Sequence, residues 1–192
     1  ARGILRELRL PGTALKPSDM LSIIGGWKNK SIMPETAAYE AGTDKEHFAA
    51  AGYRRYQEGL KACGAMDFDD LLLQTELLFD QHPAIRDEEA AKYDHVLVDE
   101  YQDTNTSQYE MVKLLVGERA RFTVVGDDDQ GLYRFRGARI RNILEFPQHF
   151  PTRNCKRVTL STNYRSHPDI IRFYNQWMTL QNWKQGGQSY RY

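Results

Sequence analysis

The chain has 192 residues, 41% of them hydrophobic, which suffices for one ordinary core or one domain with a small satellite. Lysine plus arginine and aspartate plus glutamate both number 26, so no global field draws in a polyanion, and any nucleic-acid contact must come from a local patch or from stacking. Cys63 and Cys155 stand far apart, which excludes a CxxC redox pair or a zinc knuckle. No run approaches the roughly 18 apolar residues of a membrane span and no signal peptide opens the sequence, so a reducing, cytoplasmic setting is expected.

Residues 1–90 carry only helical signals. Residues 1–10 read as helix from the middle of a domain. Ser18 stands before Met20, Leu21, Ile23 and Ile24, predicting a short capped helix. Between His47 and Ala62 the spacing of Phe48, Tyr53, Tyr56 and Leu60 predicts a helical face. Asp67 then precedes Phe68, Leu71 and Leu72, with the pattern continuing to Leu78 and Phe79. No alternating strand pattern occurs, so this half is expected to be all helix.

Past residue 90 the character changes. Val96-Leu97-Val98 is a short apolar run of the kind found in a strand buried on both faces. Phe122 to Val125 is a second such run, and Arg157 to Leu160 a weaker third. Between the first two, Asn105 with Gln108 three residues on predicts a capped helix presenting Tyr109, Val112, Leu115 and Val116. Ser166-His167-Pro168-Asp169 opens another, with Ile170, Tyr174, Trp177 and Met178 expected to face inward. Strands alternating with helices imply an α/β fold with a parallel sheet. The ends, Ala1 and residues 186–192, read as interrupted.

Ligands of open parallel sheets bind beyond the carboxyl ends of the strands. The first run is followed by Asp99-Glu100-Tyr101-Gln102-Asp103, the second by Gly126-Asp127-Asp128-Asp129-Gln130, and the third by Asn163-Tyr164-Arg165-Ser166. Mg2+ takes one or two carboxylates together with substrate phosphates and waters, a role that suits Asp99. Glu100 is placed to accept a proton from the water attacking a γ-phosphorus. Gln130 can bond both that water and a γ-phosphate oxygen, Arg165 supplies a positive fork for charge on the equatorial oxygens, and Tyr164 offers a flat face to a purine. Each block alone has a plainer reading: a helix cap beside a solvated charge, a polar turn, a surface arginine. Tyr101 and Tyr109 read as core. The five histidines show no ligand spacing.

Taken together, Val98-Asp99-Glu100-Tyr101-Gln102-Asp103-Thr104, Val125-Gly126-Asp127-Asp128-Asp129-Gln130, Tyr133, Arg136-Gly137-Ala138 and Asn163-Tyr164-Arg165-Ser166 resemble the motifs of superfamily 1 DNA helicases of the UvrD/Rep/PcrA type. Asp67-Phe68-Asp69-Asp70-Leu71-Leu72 is similar to the family segment that returns from a helical insert into the motor domain. The resemblance spans about residues 50–175. It implies a partial RecA-like parallel sheet with flanking helices plus an N-terminal all-α subdomain: residues 1–90 a 1B-like insert truncated at its start, and 91–192 part of a 1A-like ATPase domain with motifs II, III and IV. It also implies ATP-dependent 3′-to-5′ movement on single-stranded DNA, action at junctions of single- and double-stranded DNA, and use of ATP and Mg2+. The family's roles fall on Asp99 and Glu100 for metal and water activation, Gln130 for phosphate coupling, Tyr164 for adenine stacking and Arg165 for the γ-phosphate. Its DNA-stacking positions fall on Tyr133 and Phe135, with Arg136 beside them.

The departures are specific. Gly131-Leu132-Tyr133-Arg134-Phe135 stands where the family carries Ser-Ile-Tyr-Gly-Trp, so a smaller ring and an added charge occupy the stacking segment. No G-x-x-x-x-G-K-S/T occurs; the nearest approach, Gly25-Gly26-Trp27-Lys28-Asn29-Lys30-Ser31, has Asn29 in place of the required glycine and no strand before it. The chain by itself is therefore expected to bind ATP poorly and not to unwind DNA. The rival readings are a non-catalytic DNA- or partner-binding module and a Mg2+-dependent nuclease built on Asp99, Glu100 and Asp127–Asp129.

Overall fold

A computed structural model describes residues 1–9, 14–117, 121–131, 137–151, 154–180, 184–185 and 188–189. The chain forms two compact units, residues 1–143 and 144–192.

Among the described residues the first unit opens with helices alone, as the sequence pattern predicts: α1 (Arg2–Glu7), α2 (Pro17–Lys28), α3 (Ala37–Glu40), α4 (Asp44–Ala62), α5 (Phe68–Gln81) and α6 (Pro83–Ala90). Ser18 does not cap α2; Pro17, with its φ preset and no N–H to lose, occupies the first turn, and the Ser18 hydroxyl donates to Asp19 instead. Thr43 caps α4 by accepting the Glu46 N–H. Asp67 and Asp70 form a reciprocal capping box at the start of α5. Met20, Ile24 and Trp27 of α2 pack against Ala49, Ala50 and Tyr53 of α4 with Leu5, Leu15 and Ala37, and Trp27 stacks on Tyr53 with ring centroids 6.0 Å apart. Phe48 and Tyr56 lie at the edge of this core, half-buried.

A βαβ unit follows. β1 (His95–Val98) and β2 (Arg121–Val124) pair in parallel with Val98 opposite Val124, and α7 (Thr106–Val116) makes the crossover. Asn105 and Gln108 form the expected capping box, and Gly117 ends the helix at a positive φ of 49°. The strands are not buried on both faces: exposure alternates along each, and Leu97 is 63% exposed. β1 and β2 are each other's one ladder partner among the described residues, and the face that carries His95, Leu97, Arg121 and Thr123 is exposed.

A polar network joins the helical part to this unit. The Lys28 ammonium, fully buried, lies 2.6 Å from Asp67 and 2.8 Å from Asp70 and sits over the Tyr56 ring at 5.1 Å. Next in sequence, Asn29 donates to Asp69 and accepts from the Asn105 amide at 2.6 Å, while Ser31 and Ser107 both donate to Glu76 at 2.7 Å. The segment that most resembles a phosphate loop in sequence is thus the clamp that ties α2 to α5 and α7. Burial opposes the Asp67 charge, but the bonds from Lys28 and the Asp70 N–H outweigh it and hold the carboxyl below its ordinary value. Burial pushes Asp69 up, aided by the Asp67 charge and resisted by Asn29. Burial and the bond donated to Asp67 push the Tyr56 phenol up to about 12.

In the region of residues 141–150, α8 (Arg141–Leu144) and α9 (Phe146–His149) are single turns, with Phe146 and Phe150 in contact at 5.1 Å between centroids. The second unit continues with α10 (Pro168–Thr179) and a short antiparallel pair, β3 (Lys184–Gln185) and β4 (Gln188–Ser189). Residues 157–160 are not a strand: they carry no regular structure and are exposed, Leu160 at 84%, with no ladder partner among the described residues. α10 is capped by the His167 ring, which accepts the Asp169 N–H. Of its predicted inward residues only Met178 is buried; Ile170, Tyr174 and Trp177 are exposed. Among the described residues, no helix is long and apolar enough to cross a membrane.

Candidate functional site

β1 and β2 run in the same direction, so their carboxyl ends deliver two loops to one edge. The ladder continues into those loops: the Val125 N–H donates to the Val98 carbonyl at 2.8 Å, and the Tyr101 N–H to the Val125 carbonyl at 2.9 Å. Tyr101 turns inward, buried, with its ring edge-on to Phe122; burial raises its phenol well above the ordinary value, fixing it as a neutral core residue.

Between ladder and core, Asp99 and Glu100 remain exposed. Glu100 has a left-handed backbone, φ 50° and ψ 41°, a conformation that costs a residue with a Cβ on the order of 1 kcal/mol and persists only where neighbours enforce it. Three contacts do so here. The Asp99 carboxylate accepts the Glu100 N–H at 2.9 Å, the Glu100 carbonyl accepts the Asp103 N–H at 2.9 Å, and the Gln102 amide donates to the Glu100 carboxylate at 2.7 Å. The turn from Tyr101 to Asp103 that follows is a single 3-10 turn, and it brings Gln102 back beneath Glu100.

The second loop is organised by Asp127. Its carboxylate accepts the Asp129 N–H at 3.0 Å and the Gln130 side-chain amide at 2.7 Å. Its own N–H donates to the Gln102 side-chain oxygen at 3.1 Å. Gly126 permits that approach: a Cβ there would stand 2.5 Å from the Gln102 oxygen and 2.7 Å from the Ile143 side chain. A cavity of about 320 Å³ opens beside the first loop, lined by Asp99, Glu100 and Asp103 and by Leu72 of α5 and Met111 and Val112 of α7.

The structure therefore brings Asp99, Glu100 and Gln130 to one sheet edge and links the two loops through Gln102, to which the sequence motif alone assigns no task. Its signal in the sequence was faint: a polar side chain two positions past a strand-end acid, with no periodicity to mark it. Tyr164 and Arg165 lie in the second unit, both exposed, with the Asn163 side chain accepting the Arg165 and Ser166 N–H groups. Tyr133, Phe135 and Arg136 fall outside the described residues.

Acidic and amide side chains at adjacent carboxyl ends of a parallel βαβ unit, beside a helical subdomain, define a class of protein: an α/β domain with a polar strand-end site. Comparison with known proteins gives the family. Residues 4–151 match the UvrD/REP helicase N-terminal domain, and the chain belongs to that family. It is 48% identical over 156 residues to the ATP-dependent DNA helicase Rep of Escherichia coli (strain K12), an alignment covering 81% of this chain and 23% of that protein. It is 39% identical over 175 residues to the ATP-dependent DNA helicase PcrA of Bacillus subtilis (strain 168), covering 91% of this chain and 23% of that protein. The chain thus spans about a quarter of the length of the relatives it matches.

Proposed function

We propose that this chain is the part of an ATP-dependent DNA helicase that activates the water for ATP hydrolysis and reports the γ-phosphate to the DNA-contacting segment. Residues 1–90 correspond in this reading to a 1B-like helical insert and 91–192 to part of a 1A-like RecA domain with motifs II, III and IV. The observation that carries it is the pairing of Glu100 and the Asp127–Gln130 loop at neighbouring strand ends, joined by Gln102.

Each residue has a chemical task. Glu100, held by the Gln102 amide with its carboxylate exposed, accepts the proton of the attacking water. Gln130, anchored on Asp127, is positioned by that loop to meet the γ-phosphate. Tyr164 stacks on adenine and Arg165 pairs with the phosphate. Asp99 fits Mg2+: it is an exposed, hard oxygen donor at a strand end, with one oxygen occupied by the Glu100 N–H. When bound, that ion neutralises charge on the β- and γ-phosphates. Tyr133 and Phe135 stack on bases of single-stranded DNA, each contributing roughly 1–3 kcal/mol without sequence preference, and Arg136 contacts a phosphate. Movement is 3′-to-5′ toward junctions of single- and double-stranded DNA, in the cytoplasm.

The test uses the complete protein that carries this chain. Glu100→Gln is expected to reduce DNA-stimulated ATP turnover by about 10²–10⁴-fold while binding of ATP and of a single-stranded oligonucleotide persists. Unchanged turnover overturns the assignment of Glu100. The 192-residue chain alone, without a phosphate-binding loop in its sequence, is expected neither to hydrolyse ATP at a comparable rate nor to unwind DNA.

A further inference from the structure

We infer that Gln102 is the positioning residue that couples the water-activating carboxylate of Glu100 to the loop carrying Gln130; this rests on the reading of Glu100 as the general base. Gln102 is 1% exposed, and both ends of its amide are committed. Its oxygen accepts the Asp127 backbone N–H at 3.1 Å, and a backbone N–H can only donate, so that contact fixes which way the amide faces. The NH2 end must then point to Glu100, where it lies 2.7 Å from the carboxylate. From there the line continues through Asp127, whose carboxylate accepts the Gln130 amide at 2.7 Å.

Four residues from two strand-end loops therefore form one hydrogen-bonded row: Glu100, Gln102, Asp127, Gln130. A shift of the Gln130 loop on gain or loss of a phosphate contact moves the Asp127 N–H, and with it the amide that orients Glu100. The strained backbone of Glu100 makes this a sensitive place to act, because its conformation is held by contacts rather than by its own preference. The site leaves no room for slack: a single added carbon at Gly126 would collide with the Gln102 oxygen. Gln102 itself is buried beneath the carboxylate, so its effect is exerted through Glu100.

The experiment is a double-mutant cycle in the complete protein, with ATP turnover measured at saturating single-stranded DNA. Gln102→Met removes both amide contacts at nearly constant volume. It is expected to lower kcat by roughly 10- to 100-fold with KM for ATP and affinity for single-stranded DNA little changed. In a Glu100→Gln background the same substitution is expected to cause no further loss, since Gln102 then has no base to position. An unchanged kcat, or a loss that adds in full to that of Glu100→Gln, overturns the inference. If Glu100→Gln itself leaves turnover intact, the reading of the site fails instead, so the two failures are distinguishable. Should Gln102→Met not fold, the exchanged pair Glu100→Gln with Gln102→Glu carries the test. It reforms the contact with the donor reversed and must recover the thermal stability that Gln102→Glu alone loses; no recovery counts against the proposed contact.

Discussion

Lys28→Met removes the cation that bridges Asp67 and Asp70 while keeping the unbranched apolar stem of the side chain, one atom shorter. Lys28 is fully buried and Asp70 is 2% exposed, so the substitution strands a carboxylate where water cannot reach it. Breaking a buried pair from one side costs about 3–5 kcal/mol, several times the worth of an exposed ion pair. That lowers the urea midpoint of the chain by roughly 2 M, followed by far-UV circular dichroism. Adding Asp70→Asn should recover a large part of the loss, because the stranded charge disappears, the amide oxygen still accepts the Asp67 N–H, and Gln57 can turn its Oε1 to accept from the new NH2 group. pH gives an independent check. Asp67 is held below its ordinary value, so its contribution is fully present above about pH 4 and is lost as pH falls through the folded-state value. The deficit of Lys28→Met relative to the parent is therefore widest near neutrality and narrows in acid. A loss under about 1 kcal/mol at neutral pH, or a double variant no more stable than Lys28→Met, would mean that Lys28 does not neutralise a buried charge on Asp70.

Two further outcomes follow from the same contacts. Gly126→Ala forces the Gln102 oxygen and the Ile143 side chain away from a new Cβ, and is expected to destabilise the chain by about 1–3 kcal/mol in thermal unfolding and to depress turnover of the complete protein beyond what the lost stability accounts for. Asn105→Ala removes both the cap of α7 and the acceptance of a bond by Asn29, and is expected to cost about 1–2 kcal/mol, with Asn105→Asp retaining the cap and recovering part of it.

Local chemistry was legible without coordinates wherever neighbours in sequence are also neighbours in space. The helix that begins after Asp67, the capping box at Asn105, the helical first half and the two parallel strands were all readable, because spacing along the chain dictates them. The strand-end positions of Asp99, Glu100 and Gln130 were readable for the same reason, and their long motifs carried the family. Reading failed where a partner was needed. Residues 157–160 have the apolar composition of a strand but join no ladder among the described residues, and of the predicted inward residues of α10 only Met178 is buried. Leu97 looked doubly buried because a continuous apolar run does not say how many layers cover it.

What the sequence determined by itself is the chemistry on offer: carboxylates and amides at the ends of strands, set there by hydrophobic runs that leave the polar residues next in line no place in the sheet. Which side chain holds which is settled by packing between distant segments. Lys28 and Asp67 are 39 residues apart, Gln102 and Asp127 are 25 apart, and neither pair has any periodic mark. Their meeting depends on helix packing and on the parallel register of β1 and β2, which are set by the fit of side chains distant in sequence.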